Sequence, residues 1–136
     1  MRILNLRTIA AFASICFAGS ASAAEMTGEE ITAFISGKTA YVETTAASMT
    51  GAVGNGAIFY AADGSGLYKT PKGAIWHGTW TVKGNLLCTE WKEAPKRPCL
   101  KFDKQGDTVS VNDSETGQTR VKIVKTAAGN AENLKP

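Results

Sequence analysis

This sequence predicts a mainly β, antiparallel fold: a small barrel or sandwich of about seven or eight strands behind one N-terminal helix. Three observations carry that reading. From residue 38 onward, short β-prone runs are separated by turns rich in Gly, Asp and Pro, at the roughly 8–12-residue spacing of sandwiches and barrels. Only one segment, near the start, has helical periodicity. One stretch, Ile75 to Asp103 (IWHGTWTVKGNLLCTEWKEAPKRPCLKFD), reads as two hairpins whose registers agree with each other.

The chain opens on a secretory leader, residues 1–23. Arg2 and Arg7 form a positive region, Thr8 to Ala18 an apolar core, and Ala21-Ser22-Ala23 a small-x-small cleavage site. The apolar run is shorter than the ~20 residues a membrane span needs, so no stable span is expected after cleavage. Lipidation at Cys16 is disfavoured by bulky Ile15 before it and by the Ala-Ser-Ala site beyond it. Cleavage after Ala23 takes 136 residues to 113, and the loss of Arg2 and Arg7 takes 15 basic residues to 13 against 12 acidic ones. The mature net charge near +1 supports no nucleic-acid partner. Cys16 leaves with the leader, and an even cysteine pair remains in an oxidising compartment, periplasmic or extracellular. Residues 24–136 are then a single domain.

Met26 to Gly37 is the helix. Thr27 caps it, Glu30 completes a capping box, and Ile31, Phe34 and Ile35 make an apolar stripe before the Gly37 stop. So short a helix depends on docking that stripe on the sheet. Glu29 and Glu30 complement its dipole. Lys38 to Thr45 is β-prone. Ala46 to Gly56 is a Gly-rich connection, without the Gly-Lys-Ser/Thr ending of a phosphate loop or the spacing of a dinucleotide site. Ala57 to Ala62 and Ser65 to Thr70 are strands around an Asp63-Gly64 turn, and Pro71-Lys72-Gly73 turns again.

The central stretch sets its own register. A two-residue Gly84-Asn85 loop is a hairpin signal. It places Val82 opposite Leu87, Trp80 opposite Thr89 and Gly78 opposite Trp91. Opposed residues share a face, so Trp76, Gly78, Trp80, Val82, Leu87 and Trp91 form the core side, with Gly78 leaving room for the indole. His77, Thr79, Thr81, Lys83, Cys88 and Glu90 take the other. If Cys88 and Cys99 are bridged across a second hairpin, Leu87 faces Leu100, and Phe102 joins the same core face. Agreement of cysteine pairing with hydrophobic pattern is the mark of a specified structure. The rival reading, a metal site, lacks a second Cys pair or a His cluster. Lys92 to Pro98, polar with two prolines, is the connecting turn.

Beyond it, residues 103–107 make a turn and Thr108 to Asn112 alternates with Val109 and Val111 inward. Residues 114–117 turn again, and Gln118 to Lys125 is the last strand, with Val121 and Ile123 on one face and Arg120 and Lys122 on the other. From about residue 127 the chain reads as a frayed polar tail in which Leu134 can dock.

Catalytic chemistry is poorly supplied. His77 is the single histidine and has no recognisable nucleophile; its acid partner in an enzymatic reading is Asp63 or Glu90. Asp103 and Asp107 flank a turn but do not make a calcium loop, and neither cofactor nor metal is implied. The strongest candidate site is aromatic. Trp76, Trp80 and Trp91, with Tyr60 and Phe102, either line a barrel mouth and hold an apolar ligand, fill the core, or form an exposed patch that grips another protein.

The pattern Met26-Thr27-Gly28-Glu29-Glu30-Ile31 with Gly37-Lys38-Thr39, then Tyr60-x-x-Asp63-Gly64, Gly78-Thr79-Trp80-x-Val82, Cys88 and Cys99, resembles small bacterial periplasmic proteins of unknown function. The resemblance covers roughly residues 26–125 and implies a short helix leading into a sheet, and an exported location. Gly78-x-Trp80 is also similar to the lipocalin signature. There it sits on the first strand and here mid-chain, so only a lipocalin-like barrel architecture is implied. The expectation is an exported, non-catalytic binding or interaction module, its partner a small apolar ligand or a periplasmic protein. A small hydrolase or isomerase using His77, and an inhibitor presenting the Lys92–Pro98 loop, are the alternatives.

Overall fold

The computed structural model describes residues 24–136; the leader read at 1–23, with Cys16, lies outside the described residues. The elements are β1 (Ala24–Glu25), α1 (Gly28–Ile35), β2 (Lys38–Thr44), β3 (Gly54–Tyr60), β4 (Ser65–Lys69), β5 (Ile75–Lys83), β6 (Leu86–Trp91), β7 (Leu100–Gln105), β8 (Thr108–Asp113) and β9 (Thr119–Ala128). Strands β2 to β9 pair in chain order, all antiparallel, and β9 returns to β2. The fold is therefore a closed eight-stranded barrel, which resolves the choice between barrel and sandwich. Closure removes the free edges that an open sheet would leave.

The hairpins follow from local chemistry. Lys83 pairs with Leu86 around Gly84, whose φ is +59°. A left-handed glycine first and an ordinary second residue is the type II′ arrangement that matches strand twist. The β5–β6 register is the expected one: Val82 on Leu87, Trp80 on Thr89 and Gly78 on Trp91. A Cβ built on Gly78 would stand 2.1 Å from the Glu90 carbonyl oxygen and 2.7 Å from Trp91 Cε3. Since the first of these contacts is backbone, Gly78→Ala is expected to cost about 1–3 kcal/mol by overpacking. A urea unfolding midpoint equal to that of the parent would refute this.

The β6–β7 seam is the thinnest in the barrel, with Leu87–Leu100 its single register pair. The Cys88–Cys99 disulfide, Cα atoms 4.4 Å apart, staples it at one side of that pair. On the other side β1 pairs with β7, Glu25 on Asp103 and Ala24 on Lys104, and the Met26 N–H donates to the Phe102 carbonyl at 2.8 Å.

Helix α1 plugs the barrel end that carries the Gly84-Asn85 turn. The Thr27–Glu30 capping box is formed, and Ile31 and Ile35 are fully buried. The Gly28 N–H donates to Asn85 Oδ1 at 2.9 Å, and a Cβ on Gly28 would lie 2.1 Å from the Gly84 carbonyl oxygen. The helix backbone thus rests directly on the hairpin turn. Ile31 and Ile35 meet a core that includes Val42, Ile58, Leu87, Phe102, Val109, Val111 and Ile123.

The other end is covered by the β2–β3 connection, residues 45–53. Thr44 Oγ1 donates to the Ala52 carbonyl at 2.6 Å and Thr45 Oγ1 to that of Thr119 at 2.7 Å, and Ser48 is buried. Gly54 and Gly56, read from the sequence as part of this loop, belong to β3, where they pair with Thr44 and Val42; a Cβ at Gly56 would press on Tyr68 Cε2 at 2.9 Å and on the Lys69 carbonyl at 2.8 Å. Strand β7 likewise runs to Gln105, leaving only Gly106-Asp107 as the turn, and β9 reaches Ala128. Beyond β9, the Leu134 N–H donates to Asn130 Oδ1 at 2.9 Å and the Leu134 side chain is buried.

Candidate functional site

The five aromatic residues singled out by sequence do not form one site. Tyr60, Trp91 and Phe102 are buried, whereas Trp76 and Trp80 are half-buried. Tyr60 meets Trp80 edge-on at 5.9 Å between centroids. Trp80 lies toward the helix end of the barrel, where its Nε1–H donates to the Ala61 carbonyl at 2.9 Å. Trp76 and Trp91 meet through a residue the sequence reading passed over: Tyr68 contacts them at 5.8 and 5.7 Å. The signal for it was the alternation Gly66-Leu67-Tyr68, which puts Tyr68 in register with inward Trp76. Burial pushes the Tyr68 phenol up to about 12 and raises that of Tyr60 as well.

Between these rings and the residue 45–53 loop lies a cavity of about 40 Å³, lined among others by Tyr60, Tyr68, Trp91, Met49 and Arg120. Pockets for small organic ligands hold ~300–1,000 Å³. As its side chains stand, the barrel interior is packed by them, with space left for a water-sized guest.

Arg120 corrects the sequence expectation that it points away from the core with Lys122. The β8–β9 ladder shifts register between Val111 and Asn112, with Val111 on Val121 but Asn112 on Thr119. That bulge leaves Arg120 without a cross-strand partner and turns it inward. Its guanidinium is bound to the Asp113 carboxylate, with both residues about 5% exposed or less, and also donates to the Ala47 carbonyl at 3.3 Å. The Thr116 N–H and the guanidinium, with a further N–H from Glu115, hold the Asp113 carboxyl down at about 2.

On the outer face, His77 does have an acid partner, but not Asp63 or Glu90. Its Nδ1 is 2.8 Å from Glu93 Oε1, and its backbone N–H donates to the same carboxylate at 2.9 Å. Burial opposes the Glu93 charge, but the His77 ring and N–H outweigh it and lower the carboxyl's pKa. Asp63 is taken by Ser65, whose hydroxyl donates at 2.7 Å, and Glu90 pairs with exposed Lys96 at 3.2 Å.

His77 borders an open hollow on this face. Register places Phe59, Leu67 and His77 in one row across β3, β4 and β5. With Thr79, Glu90, Lys92 and Leu134 they line an open groove of about 770 Å³. Its middle is apolar, and one rim carries an imidazole, a carboxylate and an ammonium. The Lys92–Pro98 loop leaves from that rim, anchored by the Lys92 N–H on the His77 carbonyl at 2.9 Å. Among the described residues no three His, Cys, Asp or Glu converge as metal ligands, and no helix is long and apolar enough to cross a membrane. No protein family, curated protein or solved structure matches the chain.

Proposed function

We propose that this is an exported, non-catalytic binding protein whose recognition surface is the outer groove over β3–β6, not the barrel interior. The observation that carries this reading is the contrast between an open groove of about 770 Å³ and an interior cavity of about 40 Å³. Phe59, Leu67 and Leu134 offer an apolar floor, and His77, Glu90 and Lys92 a polar rim. The complementary guest has an apolar body and a polar end, as an amphipathic small molecule or a protein side chain would. The disulfide suits an oxidising compartment. An enzymatic reading would use the His77–Glu93 pair, which has the imidazole–carboxylate geometry of a general base.

Amide chemical shifts of the ¹⁵N-labelled mature protein, titrated with a panel of amphipathic ligands, test the proposal. Saturable shifts are expected at Phe59, Leu67, His77 and Thr79 with Val42 and Phe102 unmoved, and Leu67→Glu should weaken binding about tenfold or more. Shifts confined to the interior, or binding indifferent to Leu67→Glu, would overturn it.

A further inference from the structure

The small cavity beneath the residue 45–53 loop has a mostly apolar lining, but it also carries polar groups that a dry, wholly apolar void would lack. Two of its lining residues, Tyr68 and Arg120, carry side-chain atoms, Oη and Nε, that are buried and make no hydrogen bond to any described protein atom. Tyr68 is 4% and Arg120 5% exposed. Thr50 stands near the phenol without the geometry of a hydrogen bond. Buried polar groups are almost always satisfied, by protein or by ordered water. A guanidinium N–H can only donate and a phenol donates readily, so the shared guest is a hydrogen-bond acceptor.

Size and charge narrow the choice. About 40 Å³ admits one guest of water size. The Arg120 charge is already matched by Asp113, so an anion would bring an uncompensated second negative charge into a buried site. Ser48 and Thr89 line the same space and offer hydroxyl oxygens as acceptors. We propose that this cavity is a hydration site for one ordered water, which accepts from Tyr68 Oη–H and Arg120 Nε–H and donates to the Ser48 and Thr89 hydroxyls. That water ties the covering loop to strands β4, β6 and β9 through a single point.

Two measurements on the purified mature protein test this. In the first, water-selective NOE and ROE spectra should show a long-lived water at the Val111 methyls, while crystals soaked in sodium bromide show no anomalous peak there. In the second, Tyr68→Phe keeps the ring and removes only the hydroxyl. With the water in place the variant loses a bridge and its Tm falls. With a dry cavity it loses an unsatisfied hydroxyl, and its Tm is unchanged or rises. A bromide peak, no long-lived water, or an unchanged or raised Tm for Tyr68→Phe would each overturn the proposal.

Discussion

Arg120→Met is expected to lower stability by about 3–5 kcal/mol, the cost of stripping one partner from a buried ion pair. The variant fills similar space with apolar atoms but strands the Asp113 carboxylate, which is 4% exposed. Marginal stabilities of about 5–15 kcal/mol make such a loss severe. Asp113 also accepts the N–H groups of Glu115 at 2.8 Å and Thr116 at 3.0 Å. Asn at 113 retains an acceptor for those bonds while removing the charge, so Arg120→Met with Asp113→Asn should recover part of the loss. Urea midpoints of the parent, the single variant and the double variant measure this. A double variant no more stable than Arg120→Met would show that the stranded charge is not the cause.

The same pair sets a pH dependence. The Asp113 carboxyl is depressed to about 2 in the folded protein, against about 3.9 in an unfolded chain. The unfolded state therefore binds the proton first as pH falls. The contribution is fully present above about pH 4 and is lost as pH drops through about 2. The parent should lose stability over that window more steeply than Asp113→Asn. Some slope remains in the variant, because the Asp63 and Glu93 carboxyls are also lowered. Parallel Tm-against-pH curves for the two proteins would exclude Asp113 as the source.

Much of this fold is written locally. Gly84-Asn85 dictates the β5–β6 register, because a two-residue loop permits one alignment and a one-residue slip would turn Leu87 and Trp91 outward. The cysteines then set Leu87 on Leu100, and Thr27 with Glu30 announces the helix. The closure of the barrel is not local. The pairing of β2 with β9 joins Thr39 to Ala127, and nothing in either segment's alternation names the other. Arg120 escaped because a bulge breaks the period-2 rule on which facing is assigned. The partner of His77 escaped for another reason: Glu93 lies 16 residues away in a loop whose path follows from its anchors, not from periodicity. Gly54 and Gly56 misled in the opposite direction. Glycine signals a loop when its conformational freedom is used, but here it signals close packing: a Cβ added at Gly54 would stand 2.8 Å from Pro71 Cβ, and one at Gly56 2.9 Å from Tyr68 Cε2.

Replacing both Cys88 and Cys99 with Ser is expected to cost about 3 kcal/mol, mostly by releasing the unfolded chain from a short loop. The bridge spans a sequence separation of 11, so the entropy term is near the lower end for natural disulfides. Its position makes the consequence local as well. The β2–β9 ladder holds seven register pairs and β5–β6 six, but β6–β7 holds one. Without the bridge, Leu87–Leu100 is the one register pair left across that seam. Hydrogen exchange should therefore accelerate most at Leu87, Cys88 and Leu100, ahead of Val42 and Ile123 on the β2–β9 side. A uniform acceleration across the barrel would mean that the bridge acts only through the unfolded state. An unchanged urea midpoint would mean that it does not stabilise the fold. The seam also lies beside the groove rim: β6 ends at Trp91 and the chain continues through Lys92 to Cys99. Glu93, which grips His77 at 2.8 Å, sits inside the disulfide-closed loop. Breaking the bridge should thus loosen the His77–Glu93 contact before it unfolds the barrel, and the His77 imidazole resonances should broaden or shift in the double Ser variant under native conditions.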